Sequence, residues 1–288
     1  MAPNSPTVAS WELMLRIREQ AKASGVKAGV IHKALDISAA YWSQVSNARG
    51  VLTDDKLRHL VELLEFESDE RDELFTLRTL AKGRGWWAEY SALFDADLMR
   101  FYGLEAGAQS IRSFESGVIP GLLQSEDYIR ALMSAIVATG RPTEAEQRVR
   151  ARLHRQRRLD DDDPLRLSVV VGEAALMQQV GGPDVLREQL RHLLALVDKY
   201  PDTLDLRVIP FDAKGSTAGL NAATFHLLDF ASVRLPTIGW IETAIYGEIA
   251  DDPKRVDALE YLYNQVKAAA LDQSESSRLI DRTASRIK

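Results

Sequence analysis

The chain has 288 residues, 45% of them apolar, a formal net charge of -6 at pH 7 and no cysteine. That length holds two modest domains with a core each, while the missing thiols exclude disulfides, thiol catalysis and cysteine-ligated metal, and fit a reducing cytoplasm. The negative balance argues against nucleic-acid binding over the whole surface, though not against one basic face; no apolar run reaches the ~18–20 residues that span a bilayer.

The opening "MAPNSPTVAS" lacks the basic start and apolar stretch of a secretion signal, so residues 1–9 read as a flexible arm and a cytoplasmic location is expected. Five short helices follow over residues 10–80. Trp11, Leu13, Leu15, Ile17 and Ala21 include helical spacings, and "ASGV" (23–26) stops that helix. Val30, Ile31, Ala34 and Leu35 mark a second. Ser38 is a good N-cap for a third, running to about Asn47. Thr53 caps a fourth with the stripe Leu57, Leu60, Val61 and Leu64, and a fifth follows Ser68 with Leu74, Leu77 and Leu80 facing in.

Charge divides along the same lines. Up to Leu52 the bases Arg16, Arg18, Lys22, Lys27, Lys33 and Arg49 meet only Glu12, Glu19 and Asp36, whereas acids dominate from Asp54 to Glu73. A small basic unit leading an acidic chain points to a DNA-binding head.

"KGRGWW" (82–87) breaks the helical pattern and marks the boundary, with Trp86 and Trp87 as a packing anchor between domains or, the alternative, a stacking platform that puts Trp86 among the ligand- or partner-binding residues. Residues 81–105 read as a connecting helical segment, and the pattern stays helical to about Arg158. "LRLSVVVG" (165–172), "LDLRVIPF" (204–211), "NAATFHLLDF" (221–230) and "TIGWIE" (237–242) then read as strands, with helices at 183–199 and 253–271. The expected fold class is α+β: an all-α five-helix head, then at 106–272 a larger domain of helices packed on a small mixed β-sheet, then a helix or tail at 273–288.

Helices two and three, separated by Asp36 and Ile37, have helix-turn-helix length and spacing. Trp42 and Val45 share one face of the third helix; Ala39, Ala40, Ser43, Gln44 and Asn47 share the other. Glutamine pairs bidentately with adenine in the major groove, and alanine touches a thymine methyl. Lys27, Tyr41, Asn47 and Arg49 are placed to hold phosphates, which fix register, and Ser38 opens the helix beside them.

Residues 10–66 resemble the Cro-repressor (XRE) type of helix-turn-helix, above all in "ISAAYWSQVSNARGVLTDDKLRHLVELL" (37–64). The resemblance gives Gln44 the main base-reading position and Ala39 and Ala40 the two at the helix start. It also has departures: His32 replaces a small residue of helix two, Asp36 the turn glycine, and Ser46 and Ala48 the Glu and Gly that close helix three. Aspartate tolerates left-handed backbone better than most residues.

"GWWAEY" (85–90), "VIPGLLQSEDYIRAL" (118–132) and "RVRARLHRQRRL" (148–159), followed by "VVVGEAALMQQVGG" and "LDLRVIPF", resemble the C-terminal domain of actinobacterial Cro-type regulators described as antitoxin-like. The Pro-Gly-Leu-Leu-Gln and Arg-x-x-Arg-Gln elements are its most specific features. The resemblance implies a transcriptional regulator that binds double-stranded DNA and answers to a short partner protein encoded nearby. A homodimer is expected because two half-sites supply affinity that one head lacks, and a small-molecule effector is an equally open input. No membrane partner and no cofactor are expected.

Around the proline, two readings stand. Pro120 and Gly121 end one segment and aim the next, with Ser125 capping a helix that carries Tyr128; this is either packed loop or, with Leu122, Leu123, Gln124 and Tyr128, one wall of a mostly apolar ligand groove. Arg148, Arg152 and Arg155 fall at i, i+4 and i+7 as one positive stripe. Such a stripe grips a carboxylate, a phosphate or an acidic partner, or, more commonly, is solvated and paired with acids such as Glu144, Glu146 and Asp160–Asp163.

No enzyme is expected. His32, His59, His154, His192 and His226 lack metal-ligand spacing, and no hydrolase, zincin or P-loop motif occurs. Glu173 and Glu242, at strand ends, are the best catalytic candidates, each more simply a cap or ion-pair partner. The acids of "GWIETAIYGEIADD" match no cation-binding loop.

Overall fold

The computed structural model describes residues 5–136, 142–214, 223–243 and 247–287. It is α+β and parts into two compact units between Ala88 and Glu89, just after the expected boundary stretch 82–87. Among the described residues no helix is long and apolar enough to cross a membrane.

The head holds α1 (Pro6–Ala23), α2 (Ala28–Ala34), α3 (Ala39–Ser46), α4 (Asp54–Leu63) and α5 (Ser68–Ala81). The arm expected over residues 1–9 is corrected in its second half. Ser5 accepts the amide of Val8, and Pro6 supplies a preset φ at the first helical position, so α1 starts there. Ser38 and Thr53 cap α3 and α4 as expected. Leu13, Met14, Ile17, Trp42, Val45, Leu57, Leu60, Val61, Leu64 and Leu74 share one core. Leu80, expected inside, is exposed, as is Val30. Arg78 takes the inner position on α5, its Nε donating to the Leu52 carbonyl at 2.8 Å and its Nη1 pairing with Asp54 at 3.0 Å.

Four successive helices of the head end in one way. After α1, α2, α3 and α4 the next residue but one turns left-handed, and paired 6→1 and 5→2 hydrogen bonds close the helix, as Ile37 N to His32 O and Asp36 N to Lys33 O do after α2. A glycine, Gly25, serves only the first of these ends; Asp36, Ala48 and Glu65 serve the others at φ of 48°, 55° and 54°. Alanine there has neither glycine's freedom nor a side chain able to bond locally, and the conformation costs on the order of 1 kcal/mol. Ala48→Gly is therefore expected to stabilise the head by up to about 1 kcal/mol, read from the chemical-denaturation midpoint. An unchanged or lower midpoint would show that the turn carries no strain.

The larger unit carries α6 (Ala96–Gly107), β1 (Ser110–Glu115), α7 (Glu126–Ile136), α8 (Pro142–Gln156), β2 (Arg166–Gly172), α9 (Pro183–Lys199), β3 (Leu204–Ile209), β4 (Thr224–Asp229), β5 (Ile238–Glu242), β6 (Gly247–Ala250), α10 (Pro253–Ala269) and α11 (Gln273–Arg286). Its six-stranded sheet runs β3-β2-β1-β4-β5-β6, parallel from β3 to β1 and antiparallel from β1 to β6. The purely helical reading of residues 86–158 is thus corrected: β1 lies inside it and forms the centre of the sheet. The end of the chain is a helix rather than a tail, and it belongs to this unit, with Ser276 Oγ accepting the amide of Val208 at 2.9 Å.

Side chains alternate across β1. Phe114 joins Phe225, Leu227, Val170 and the α10 residues Val256, Tyr263 and Val266 in one core. Ser113 and Glu115 point to the other face, which meets α6. There Phe101 stacks on Trp240 (centroids 4.6 Å apart) and on His226 (5.7 Å), and His226 Nδ1 lies 2.8 Å from Ser113 Oγ.

Candidate functional site

In the head, α3 is divided as its sequence predicts. Trp42 is 6% and Val45 0% exposed, whereas Ala39, Ala40, Ser43, Gln44 and Asn47 are exposed. Ser38 Oγ accepts the Tyr41 amide at 3.1 Å, and Asn47 Nδ2 donates to Ser43 O at 2.8 Å, leaving Gln44 free along the helix. Lys27 and Arg49 flank this surface and are exposed. Tyr41 is half-buried, its hydroxyl donating to Val51 O at 3.4 Å. Lys56 Nζ donates to Leu35 O at 2.8 Å, placing a cation on the C-terminal carbonyls of α2 and fixing the turn. Trp86 sits in the head unit, edge-on to the buried Trp87 at 5.9 Å; a Cβ on Gly85 would lie 2.3 Å from that ring, so the glycine lets the tryptophan fold back.

In the larger unit, the two most specific motifs meet. Pro120, Leu122, Leu123, Gln124 and Tyr128 are all buried, as a packed loop requires. Several polar groups of the loop are captured by glutamine side chains. Gln124 Nε2 donates to Ile119 O at 2.6 Å; Gln156 Nε2 donates to Gly121 O and Gln124 O at 3.0 and 2.8 Å; Gln189 Nε2 donates to Leu123 O at 2.8 Å. A buried loop needs such partners, since its backbone makes no ladder. Gly121 admits the arginines: a Cβ there would lie 3.2 Å from Arg155 Nη1.

The arginine stripe is not the solvated surface expected of it. Arg155 is 8% exposed and forms two 2.7 Å bonds to Glu105, itself 3% exposed. Its guanidinium also covers the rings of Tyr102 (4.9 Å) and Phe101 (5.5 Å). Arg152 is half-buried, donating to Gln124 Oε1 at 3.1 Å. Glu105, fifty positions away, lay outside any local pattern. Its one signal was a glutamate on the apolar run of α6.

Around these groups ionisation is displaced. Burial pushes the Glu115 carboxyl up to about 8, against the lowering effect of a 2.6 Å bond from Thr224 Oγ1 and of the two arginines. Burial also pulls His226 down to about 4 and raises Tyr102. Near neutral pH the cluster thus holds a neutral acid, a neutral imidazole and two guanidinium groups.

The other candidate carboxylates each accept a local hydrogen bond. Glu173 Oε2 accepts the Phe211 amide at 2.7 Å, and Glu242 Oε2 accepts from Trp240 Nε1 at 3.3 Å. On the α10 face, Ser168, Tyr263 and Lys267 interlock within 2.9–3.1 Å. Lys267 is also paired with Asp205 at 2.9 Å, and burial pushes Tyr263 up to about 12, the wrong direction for general acid–base work. No group of three or more His, Asp or Glu suited to a metal occurs among the described residues.

Residues 98–282 match the family described as a domain of unknown function (DUF5753), and the chain belongs to that family. No curated protein and no solved structure matches it.

Proposed function

We propose that this member of the family is a sequence-specific, DNA-binding transcriptional regulator, antitoxin-like, working in the cytoplasm at the nucleoid. Its larger unit mediates dimerisation and senses a short partner protein or an effector. The supporting observation is the outward set Ala39, Ala40, Ser43, Gln44 and Asn47, held by the buried Trp42 and Val45. A helix so anchored presents base-reading groups at fixed spacing, as groove readout requires. The reading assigns the protein no catalysis. An alternative, a head that docks protein rather than DNA, is favoured by one observation: "AAYWSQVS" contains no Lys or Arg.

Fluorescence anisotropy on DNA from the protein's own upstream region separates the two. Gln44→Ala is expected to cost about 1–3 kcal/mol on the cognate site and little on unrelated DNA. Lys27→Ala and Arg49→Ala are expected to weaken both alike. No binding, or an equal loss on both DNAs for Gln44→Ala, overturns the proposal.

A further inference from the structure

Arg155 is neutralised by Glu105; Arg152, one turn earlier on α8, is not. No carboxylate lies within ion-pair distance of Arg152 among the described residues, and its one hydrogen bond goes to Gln124 Oε1 at 3.1 Å. A guanidinium carries five N–H donors in a planar fork, so most of its capacity is unspent. Gln124 cannot turn away to relieve this, because its amide is tied to Ile119 O.

The sheet supplies a row of side chains across β1, β4 and β5, Glu115, Thr224 and Glu242, and the two carboxyl groups of that row act electrostatically on Arg152. Glu115 is 5% exposed and its carboxyl accepts from Thr224, not from an arginine. Thr224 of β4 bonds that carboxyl, and the charges of Arg152 and Arg155 on α8 and of Glu242 on β5 act on it, as it acts on Tyr128 of α7; Tyr102 and Glu105 of α6 reach the cluster through Arg155. An acid kept neutral in such a place is a hydrogen-bond donor.

We propose that Arg152, with Gln124 and Glu115 beside it, forms a binding site for a small carboxylate-bearing molecule. The fork of Arg152 receives the carboxylate, and protonated Glu115 donates to it. A planar monoanion suits the fork; a phosphate dianion would bring a second negative charge toward Glu242. The site gives the sensing role of the larger unit a ligand class. It rests on the regulator reading only for what binding does to DNA affinity.

Ionised Glu115 cannot donate and repels an anion, so binding weakens as pH rises through about 8. The test is ligand-observed NMR titration of the full chain with acetate, succinate and benzoate, and with inorganic phosphate for comparison, at pH 6.5 and 9. Carboxylates are expected to bind at pH 6.5 and to lose at least about tenfold in affinity in Arg152→Gln, the loss of a charge-assisted pair. Glu115→Gln is expected to retain at pH 9 the binding that the parent protein loses. Should Arg152→Gln fail to fold, Arg152→Lys, which keeps the charge and loses the fork, weakens binding in the same direction. Binding indifferent to Arg152, preference for phosphate, or no binding by any carboxylate overturns the site. Carboxylate binding that leaves DNA affinity unchanged overturns the sensing reading and leaves the site standing; absent carboxylate binding with DNA affinity intact does the reverse.

Discussion

Arg155→Met is expected to destabilise the larger unit by about 3–5 kcal/mol, the usual cost of removing one partner from a buried ion pair. The reason lies less in the lost attraction than in what remains. Glu105 is sealed at 3% exposure and both its oxygens are engaged by Arg155; without the guanidinium it must be buried charged, take up a proton or drag the α6 helix toward water. The rings of Phe101 and Tyr102 lose their cationic cover at the same time. The double variant Arg155→Met/Glu105→Leu removes both charges and is expected to recover most of the loss, since a buried pair exchanged for apolar groups of similar size is often neutral or better. Urea denaturation of the four proteins in the cycle gives the coupling directly. A single-variant cost below about 1 kcal/mol, typical of an exposed pair, would show that Glu105 is not sealed.

Stability of the larger unit is expected to fall as pH rises from about 6.5 to 8, and Glu115→Gln to remove that slope. The folded state holds the Glu115 proton up to about 8, whereas the unfolded chain releases it near 4.5. Between those values the native state binds more protons, so raising pH favours unfolding. The whole effect is at most roughly 5 kcal/mol. His226 works in the opposite sense: unfolded it takes a proton below 6.5, folded only below about 4, so its contribution rises with pH across that window. The two offset each other between about pH 4.5 and 6.5, and Glu115 acts alone above. Denaturation midpoints of parent protein, Glu115→Gln and His226→Gln from pH 5 to 9 check both signs; a parent slope unchanged by Glu115→Gln would show that this carboxyl ionises as it does in water.

The head was legible because its information is local. Ser38 and Thr53 announce helix starts, and Leu57, Leu60, Val61 and Leu64 share a stripe that the folded head buries. What misled was long side chains: Arg78 displaced Leu80 from the inner face by reaching Leu52 O. In the larger unit β2 to β5 were readable as apolar runs, but β1 was not. "SIRSFE" buries Ser113 and Glu115, residues that signal surface, because His226 and Thr224 receive them. The polar cluster followed the same rule. Arg152 and Arg155 were visible as a stripe, while Gln124, Glu105 and Glu115, which decide what that stripe does, come from three other segments. β6, four residues long, gave no pattern to read.

The position of β1 also bears on how the chain is made. Its Ser110 stands opposite Arg166 on one side and Asp229 on the other, so the middle of the sheet waits for segments that leave the ribosome much later. The head, built from neighbouring helices, completes itself meanwhile. Long-range pairing of this kind is slow, and until β4 emerges Ile111 and Phe114 stay uncovered on the nascent chain, exposed to chaperones or to aggregation. Interrupted synthesis would accordingly release a finished head attached to an unfinished sheet.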